Sequence, residues 1–229
     1  VCMTFQLFQD PAALAPPAAV RVPHPAGGFV LRHPEPLQPY ARCIGAWLEH
    51  WAVTTPDALF LAERDAHGEW RRLSYRHVRE QVGRVAQALL DMELPEGKPT
   101  VVLSDNSVDH AILALASMHV GRPVCTISSA YCRLTKDHSK LHGMLDALGP
   151  ALIYAAEPGV YGPPIASWQG AKVPVVFSQG AESFGGALNW TQLTATAERD
   201  EVIRTYHGVR PEDHAKYLLT SGSTGVVFG

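Results

Sequence analysis

The stretch Tyr217-Leu218-Leu219-Thr220-Ser221-Gly222-Ser223-Thr224-Gly225 decides how this chain is interpreted. Its first three residues are apolar and predict a buried strand, and the six that follow are only Thr, Ser and Gly. Glycine lets a backbone bend and approach a ligand closely, while hydroxyls and backbone N–H groups donate hydrogen bonds to anions. We therefore predict an anion-binding loop directly after a strand, made of Thr220, Ser221, Gly222, Ser223, Thr224 and Gly225.

The sequence before this loop alternates between strand-like and helix-like segments. Continuous apolar runs at 100–103, 123–127 and 151–154 are typical of strands that are covered on both faces. Segments with helical periodicity, at 107–120 and 135–148, lie between them. Strand–helix–strand alternation predicts an α/β fold with a mainly parallel sheet flanked by helices.

The earlier part of the chain begins with a Pro-rich segment. Residues 1–42 are predicted to form an extended arm without regular structure, because proline lacks a donor and favours extended neighbours. A helix from Ile44 to Pro56, a hairpin over 58–73 and a long helix capped by Ser74 should follow. Many Gly and Pro residues in 158–186 predict loops around one strand, and a short helix is predicted at 190–193.

Composition excludes several classes of partner. A net charge of −3 and the absence of Lys/Arg runs give no reason to expect nucleic acid or an anionic membrane. The four cysteines have no CxxC spacing, which favours a reduced, cytoplasmic protein. His138 and His142 stand four apart but lack the Glu of an HExxH site, so structural roles are favoured over metal binding.

The loop Thr220–Gly225 and the apolar run before it resemble the phosphate-binding signature of adenylate-forming enzymes. That family comprises acyl-CoA synthetases, luciferases and nonribosomal-peptide adenylation domains. Upstream segments at 51–57, 68–75 and 104–114 also resemble the family's amino-terminal domain. The segments at 121–123, 129–131 and 137–141 are most similar to the feruloyl-CoA synthase branch. Residues 43–229 are thus interpreted as a partial amino-terminal AMP-binding domain, truncated at the phosphate-binding loop.

The resemblance implies a two-step ligase reaction. A carboxylic acid, with a hydroxycinnamate such as ferulate as the implied example, would attack Mg·ATP to give an acyl-adenylate and pyrophosphate. A CoA thiol would then displace AMP. ATP with Mg²⁺ and CoA are accordingly the implied cofactors of a parent enzyme, and residues 220–225 would hold the β- and γ-phosphates. For the chain alone no bound cofactor is assured, and oligomeric state has no sequence signal.

The match fails after Gly225. The family continues with any residue followed by Pro-Lys-Gly, whereas this chain has Val227 and Phe228 at the Pro and Lys positions. A phenyl ring cannot supply the positive charge of lysine, so ATP binding should weaken. The sequence also starts without Met, and the interpretation is a truncated chain that is inactive by itself.

Two other interpretations stay open at this point. The chain could be part of an adenylation domain that feeds a carrier protein, or a non-catalytic binding fragment. His110 and Tyr131 could touch an acyl substrate, although packing roles are favoured for both.

Overall fold

The computed structural model describes residues 18–65 and 67–220. Contacts divide the chain into two units, Val1–Tyr40 and Ala41–Gly229. No helix in the described ranges is both long and apolar enough to cross a bilayer.

The first unit contains an antiparallel hairpin of β1 (Val20–Pro23) and β2 (Phe29–Arg32). The prediction of an arm without regular structure is therefore wrong for this part. Gly27 and Gly28 take positive φ angles of 92° and 81° and close the turn, which residues with a Cβ atom adopt rarely. The Pro-rich composition hid a short strand–turn–strand signal.

The second unit contains all the remaining elements. Its helices are α1 (Ile44–Thr54), α2 (Tyr75–Asp91), α3 (Val108–His119), α4 (Ala130–Arg133), α5 (Ser139–Leu148), α6 (Pro158–Ala166), α7 (Trp190–Ala195) and α8 (Asp200–Gly208). Its strands are β3 (Leu59–Arg64), β4 (Trp70–Ser74), β5 (Thr100–Val102), β6 (Val124–Thr126), β7 (Leu152–Ala155), β8 (Val175–Phe177), β9 (Leu188–Asn189) and β10 (Lys216–Tyr217).

Six strands form one sheet in the order β10-β6-β5-β7-β8-β9, and every neighbouring pair is parallel. Strands β3 and β4 form a separate antiparallel hairpin, as predicted. Local signals fixed the helices that follow. The hydroxyls of Ser74 and Ser107 accept hydrogen bonds from the backbone N–H groups of His77 and His110, respectively, and so cap α2 and α3.

Each face of the sheet carries its own hydrophobic core because successive strand residues point to opposite faces. On one face Val102, Val124 and Tyr154 pack against α2, α3, α7 and α8. On the other face Val101 and Cys125 pack against α4, α5 and α6. The predicted α/β class with a parallel sheet flanked by helices is confirmed.

Helix α6 corrects the prediction of loops in 158–186. The carboxylate of Glu157 accepts hydrogen bonds from the N–H groups of Gly159 and Val160, and Pro158 occupies the first helical position, where no donor is needed. Tyr161 is buried in the core, so a cap and apolar burial outweigh the cost of the prolines inside the helix.

Helix α5 begins at Ser139, four residues later than the predicted start at residue 135. The carboxylate of Asp137 accepts a 2.9 Å hydrogen bond from the Ser139 N–H group, which fixes the start of this helix. The residues before it form the separate short helix α4 and a turn.

Strand β10 corrects the prediction of a buried strand at 217–219. The strand covers only Lys216–Tyr217 and lies at one edge of the sheet, beside β6. Leu218 is 80% exposed and Leu219 is 43% exposed. An edge strand has one partner and limited cover, so apolar composition alone did not reveal its exposure.

Helices α1 and α2 and the segment before α8 are joined by ion pairs to Arg79. This side chain binds Glu49 and makes two hydrogen bonds of 2.9 and 3.0 Å to Glu198. A Cβ atom added at Gly83 would lie 2.0 Å from Glu198 Oε2. Glycine at position 83 therefore lets the Glu198 carboxylate approach α2.

The first prediction compares Gly83→Ala with the matched exchange Gly143→Ala. Alanine at Gly143, where a Cβ atom meets nothing within 4 Å, should raise the free energy of unfolding by about 0.5–1 kcal/mol through helix propensity. Alanine at Gly83 should lower it by about 1 kcal/mol, because the displaced Glu198 weakens the Arg79 pair by more than the helix gains. Urea unfolding checks this, and equal stabilisation by both exchanges would contradict the role assigned to Gly83.

His119 lies in the interface between α3, α1 and α8 and is 1% exposed. Its ring stacks on Tyr206 with centroids 4.3 Å apart. Glu49 Oε1 lies 3.4 Å from Nε2 but outside hydrogen-bond geometry, so neither ring nitrogen has a partner among the described residues. Burial, together with the charges of Arg79 and Arg42, lowers the pKa of His119 to about 4.

The second prediction concerns acid stability. Between the ordinary histidine pKa of 6.5 and about 4 the unfolded chain binds a proton at this position that the folded chain does not. Stability is therefore complete above pH 6.5 and falls by up to about 3 kcal/mol as the pH approaches 4. His119→Phe should flatten this part of the pH profile in chemical denaturation, whereas the same exchange at the exposed His67 should not. An unchanged profile for His119→Phe would show that other groups dominate.

Candidate functional site

The carboxyl ends of the strands meet at one edge of the parallel sheet. The loop after β5 leads to α3 on one face, and the loop after β6 leads to α4 and α5 on the other face. Ligands in open α/β sheets bind outside the carboxyl ends of strands, where neighbouring connections leave in opposite directions. The candidate site is therefore the crevice beside β5 and β6.

Asp105 joins the two loops of this crevice. It follows β5, and its Oδ2 atom accepts a 2.8 Å hydrogen bond from Arg133 Nη1 at the end of α4. Its Oδ1 atom accepts a hydrogen bond from the hydroxyl of Ser129. Residues 104–105 and 128–133 thus form a polar lining for the crevice.

His110 packs beneath this lining. Its Nδ1 atom lies 3.4 Å from the Asp105 carbonyl oxygen, and its Nε2 atom lies 3.4 Å from Thr126 Oγ1. Burial lowers the pKa of His110, which favours the neutral ring. Tyr131 is half-buried in α4, with the Lys140 Nζ atom 5.3 Å from its ring centroid. Both side chains make contacts within the protein, as a packing role requires.

A second polar network fixes the start of α3. Arg71 Nη1 lies 2.9 Å from Glu63 Oε1 and 3.2 Å from Asp109 Oδ1. Asp109 also accepts a 2.7 Å hydrogen bond from Ser178, whose Oγ is 2.6 Å from the buried Tyr154 hydroxyl. The hairpin, α3 and the ends of β7 and β8 are therefore held by one connected set of charges and hydroxyls.

Two helix N-termini at this edge already hold carboxylates from the protein itself. Glu63 Oε2 accepts a 2.7 Å hydrogen bond from the Val108 N–H group at the start of α3. Glu157 caps α6 in the same manner. A helix N-terminus is otherwise a ready anion site, so these two are closed to a phosphate. The Glu157 cap had a local signal, a carboxylate directly before proline, whereas the Glu63 contact spans 45 residues and had none.

The predicted loop starts at this edge. Thr220 is exposed and follows β10, which pairs with β6 in the register Tyr217 to Cys125. Extending that register by three residues brings Thr220 level with Ser128, in the loop after β6. The other predicted site residues, Ser221, Gly222, Ser223, Thr224 and Gly225, lie outside the described residues.

A magnesium ion would need carboxylate ligands or the phosphates of its nucleotide. Residues 18–65 and 67–220 contain no group of three or more His, Cys, Asp or Glu side chains that could hold a metal ion. Both oxygens of Asp105 are engaged by Arg133 and Ser129. This part of the chain therefore offers hydroxyl and guanidinium donors for phosphate rather than a metal site.

A family model described as AMP-binding enzyme matches residues 48–227, which is more than half of the chain and includes the predicted loop. The chain belongs to the AMP-binding enzyme family. No curated protein sequence matches it significantly.

Solved structures share the fold of this family member. The luciferase-like enzyme of the nonluminescent mealworm Zophobas morio has a TM-score of 0.61 at 16% identity, over 82% of this chain and 42% of its own. The Klebsiella oxytoca NpsA N-terminal subdomain gives 0.53 at 19%, over 80% and 40%. Acetoacetyl-CoA synthetase from Streptomyces lividans gives 0.57 at 18%, over 69% and 25%. This chain thus spans less than half the length of each, and the predicted assignment to the amino-terminal part of such enzymes is confirmed as a fold.

The third prediction tests the closed N-terminus of α3. Glu63→Ala removes the partner of the Val108 N–H group and one of the two carboxylates on Arg71, so we expect a loss of about 1–2 kcal/mol in the free energy of unfolding. Glu69→Ala, in the same hairpin but on an exposed side chain, should change it by less than about 0.5 kcal/mol. Thermal or urea unfolding of both variants checks this. Equal effects would mean that the Glu63 contact contributes nothing specific.

Proposed function

We propose that this chain is the amino-terminal portion of an ATP-dependent carboxylate–CoA ligase. The observation that carries the proposal is the family match across residues 48–227, which includes the Ser/Thr/Gly loop. The parallel sheet supports it, because β10 delivers Thr220 to the carboxyl edge next to the crevice. In the complete enzyme a carboxylate attacks the α-phosphate of ATP, pyrophosphate leaves, and a CoA thiol displaces AMP from the acyl-adenylate.

The role proposed for residues 220–225 is to bind the β- and γ-phosphates. Catalysis of this kind depends on positioning the reactants and stabilising the charge of the leaving pyrophosphate. Hydroxyls of Thr220, Ser221, Ser223 and Thr224 would donate hydrogen bonds, and the two glycines would let backbone N–H groups approach. When bound, Mg²⁺ would neutralise part of the phosphate charge, and the phosphates themselves would supply most of its ligands.

The proposed acid is a hydroxycinnamate such as ferulate, and the proposed location is the cytoplasm. Support for the acid comes from the segments at 121–123, 129–131 and 137–141. In the structure these segments form the start of β6, the crevice lining and the start of α5. A gene that continues into a carrier domain would favour the alternative partner, a carrier protein, over CoA.

The fourth prediction concerns the missing cation. We expect weak ATP binding by the wild-type chain in calorimetry, weaker AMP binding, and no ATP–pyrophosphate exchange with ferulate. Phe228→Lys should tighten ATP binding by about 10- to 100-fold, because a charge-assisted hydrogen bond contributes roughly 1.5–3 kcal/mol. Phe228→Gln, which adds polarity without charge, should change ATP affinity much less.

Two results would contradict these proposals. Robust exchange by the wild-type chain would refute its inactivity. Absence of ATP binding by both the wild-type and Phe228→Lys chains would favour a non-catalytic binding fragment.

A further inference from the structure

The Arg133–Asp105 pair crosses the crevice between the loops after β6 and β5. Their side chains are 47% and 56% exposed, and an ion pair this exposed contributes little to stability. The pair therefore has little value as a structural tether.

The guanidinium of Arg133 retains unused donors. Only its Nη1 atom has a hydrogen-bond partner within residues 18–65 and 67–220, which leaves Nε and Nη2 without a protein acceptor there. Arg71, in the neighbouring network, is instead shared by the two carboxylates of Glu63 and Asp109. Arg133 is thus paired with one carboxylate and can accept a second anion. A guanidinium fork suits a phosphoryl group because it donates two parallel hydrogen bonds.

Position also favours Arg133 as an anion-binding side chain. It ends the short helix that follows the β6 loop, and Thr220 lies level with that loop by the pairing register of β10 and β6. The N-termini of α3 and α6 are already occupied by Glu63 and Glu157. A phosphoryl group entering the crevice from the Thr220 side therefore meets Ser129 and Arg133.

We propose that Arg133 binds a phosphoryl group of a nucleotide substrate, and that Asp105 holds the guanidinium in the crevice while competing with that ligand. This inference rests on the proposed function and adds a binding residue outside the Ser/Thr/Gly loop. The phosphoryl group could belong to ATP or to CoA, since both carry phosphates on a nucleotide.

The fifth prediction is a pair of opposite effects on affinity, measured by calorimetry on the full chain. The probes are Mg·ATP and inorganic pyrophosphate for one source, and CoA and 3′,5′-ADP for the other. Arg133→Gln should weaken binding by about 5- to 10-fold, through loss of a charge-assisted hydrogen bond. Asp105→Asn should strengthen it by about 2- to 3-fold, because the competing carboxylate is gone. Both effects should shrink at high salt.

Arg210 and Asp213 provide a matched control. Their Nη2 and Oδ1 atoms are 3.1 Å apart in an exposed pair, but they precede β10 and so lie toward the opposite edge of the sheet. Arg210→Gln and Asp213→Asn change the net charge equally and should leave all probe affinities unchanged. Arg133→Lys should retain part of the affinity, and thermal unfolding of each variant confirms that the fold is intact.

The outcomes separate this inference from the proposed function. Loss of affinity in Arg133→Gln for the ATP probes or for the CoA probes supports the inference and identifies the source of the phosphate. If Ser223→Ala weakens ATP binding while Arg133→Gln matches Arg210→Gln on every probe, the inference is overturned and the loop assignment stands. If only Arg133→Gln weakens binding, the inference stands and the loop assignment fails. No binding of any probe by the wild-type chain at millimolar concentration overturns the inference.

Discussion

The parallel hydrogen-bond ladder of β6, β5 and β7 is the constraint on which the candidate site depends. Val101 of β5 pairs with Cys125 on one side and with Ile153 on the other, so three strands end at the same edge. Because α3 covers one face and α4, α5 and α6 cover the other, the loops after β5 and β6 diverge and leave a crevice. Strand β10 joins the same ladder through β6 and brings Thr220 to the same edge. If these strands ran antiparallel, the polar lining and the start of the loop would lie at opposite ends of the sheet.

Charge placement at this edge is economical. Glu63 and Glu157 satisfy the free N–H groups of α3 and α6 with carboxylates from the chain, which stabilises both helix starts. The same contacts remove two places where a phosphate would otherwise bind. Glu63 also comes from the β3–β4 hairpin, so its carboxylate attaches that hairpin to the sheet edge together with Arg71 and Asp109. One set of ion pairs thereby fixes the fold and restricts where a nucleotide can be held.

The parts of the fold that depend on local chemistry could be predicted from the sequence. Serine caps at Ser74 and Ser107 and continuous apolar runs gave α2, α3 and the parallel strands, because these signals act within a few residues. Features that depend on tertiary contacts could not be found in the same way. The Glu63 cap on Val108 joins distant segments, and the exposure of Leu218 depends on β10 having one neighbour in the sheet. Of the candidate site, the loop residues had a strong signal, whereas the Asp105–Arg133 pair depends on two loops meeting.

The electrostatics of the described edge explain why a cation matters so much to a loop of this composition. Hydroxyls and backbone N–H groups donate hydrogen bonds but carry no net charge, while the phosphates of ATP carry several negative charges. Arg71 is shared by two carboxylates and Arg133 by one, so the guanidinium charge nearest the crevice is balanced before any ligand arrives. A phosphate must then either displace Asp105 from Arg133 or meet a cation from elsewhere in the protein. With Phe228 at the position where the family has lysine, the first of these routes uses a charge that the described residues already contain.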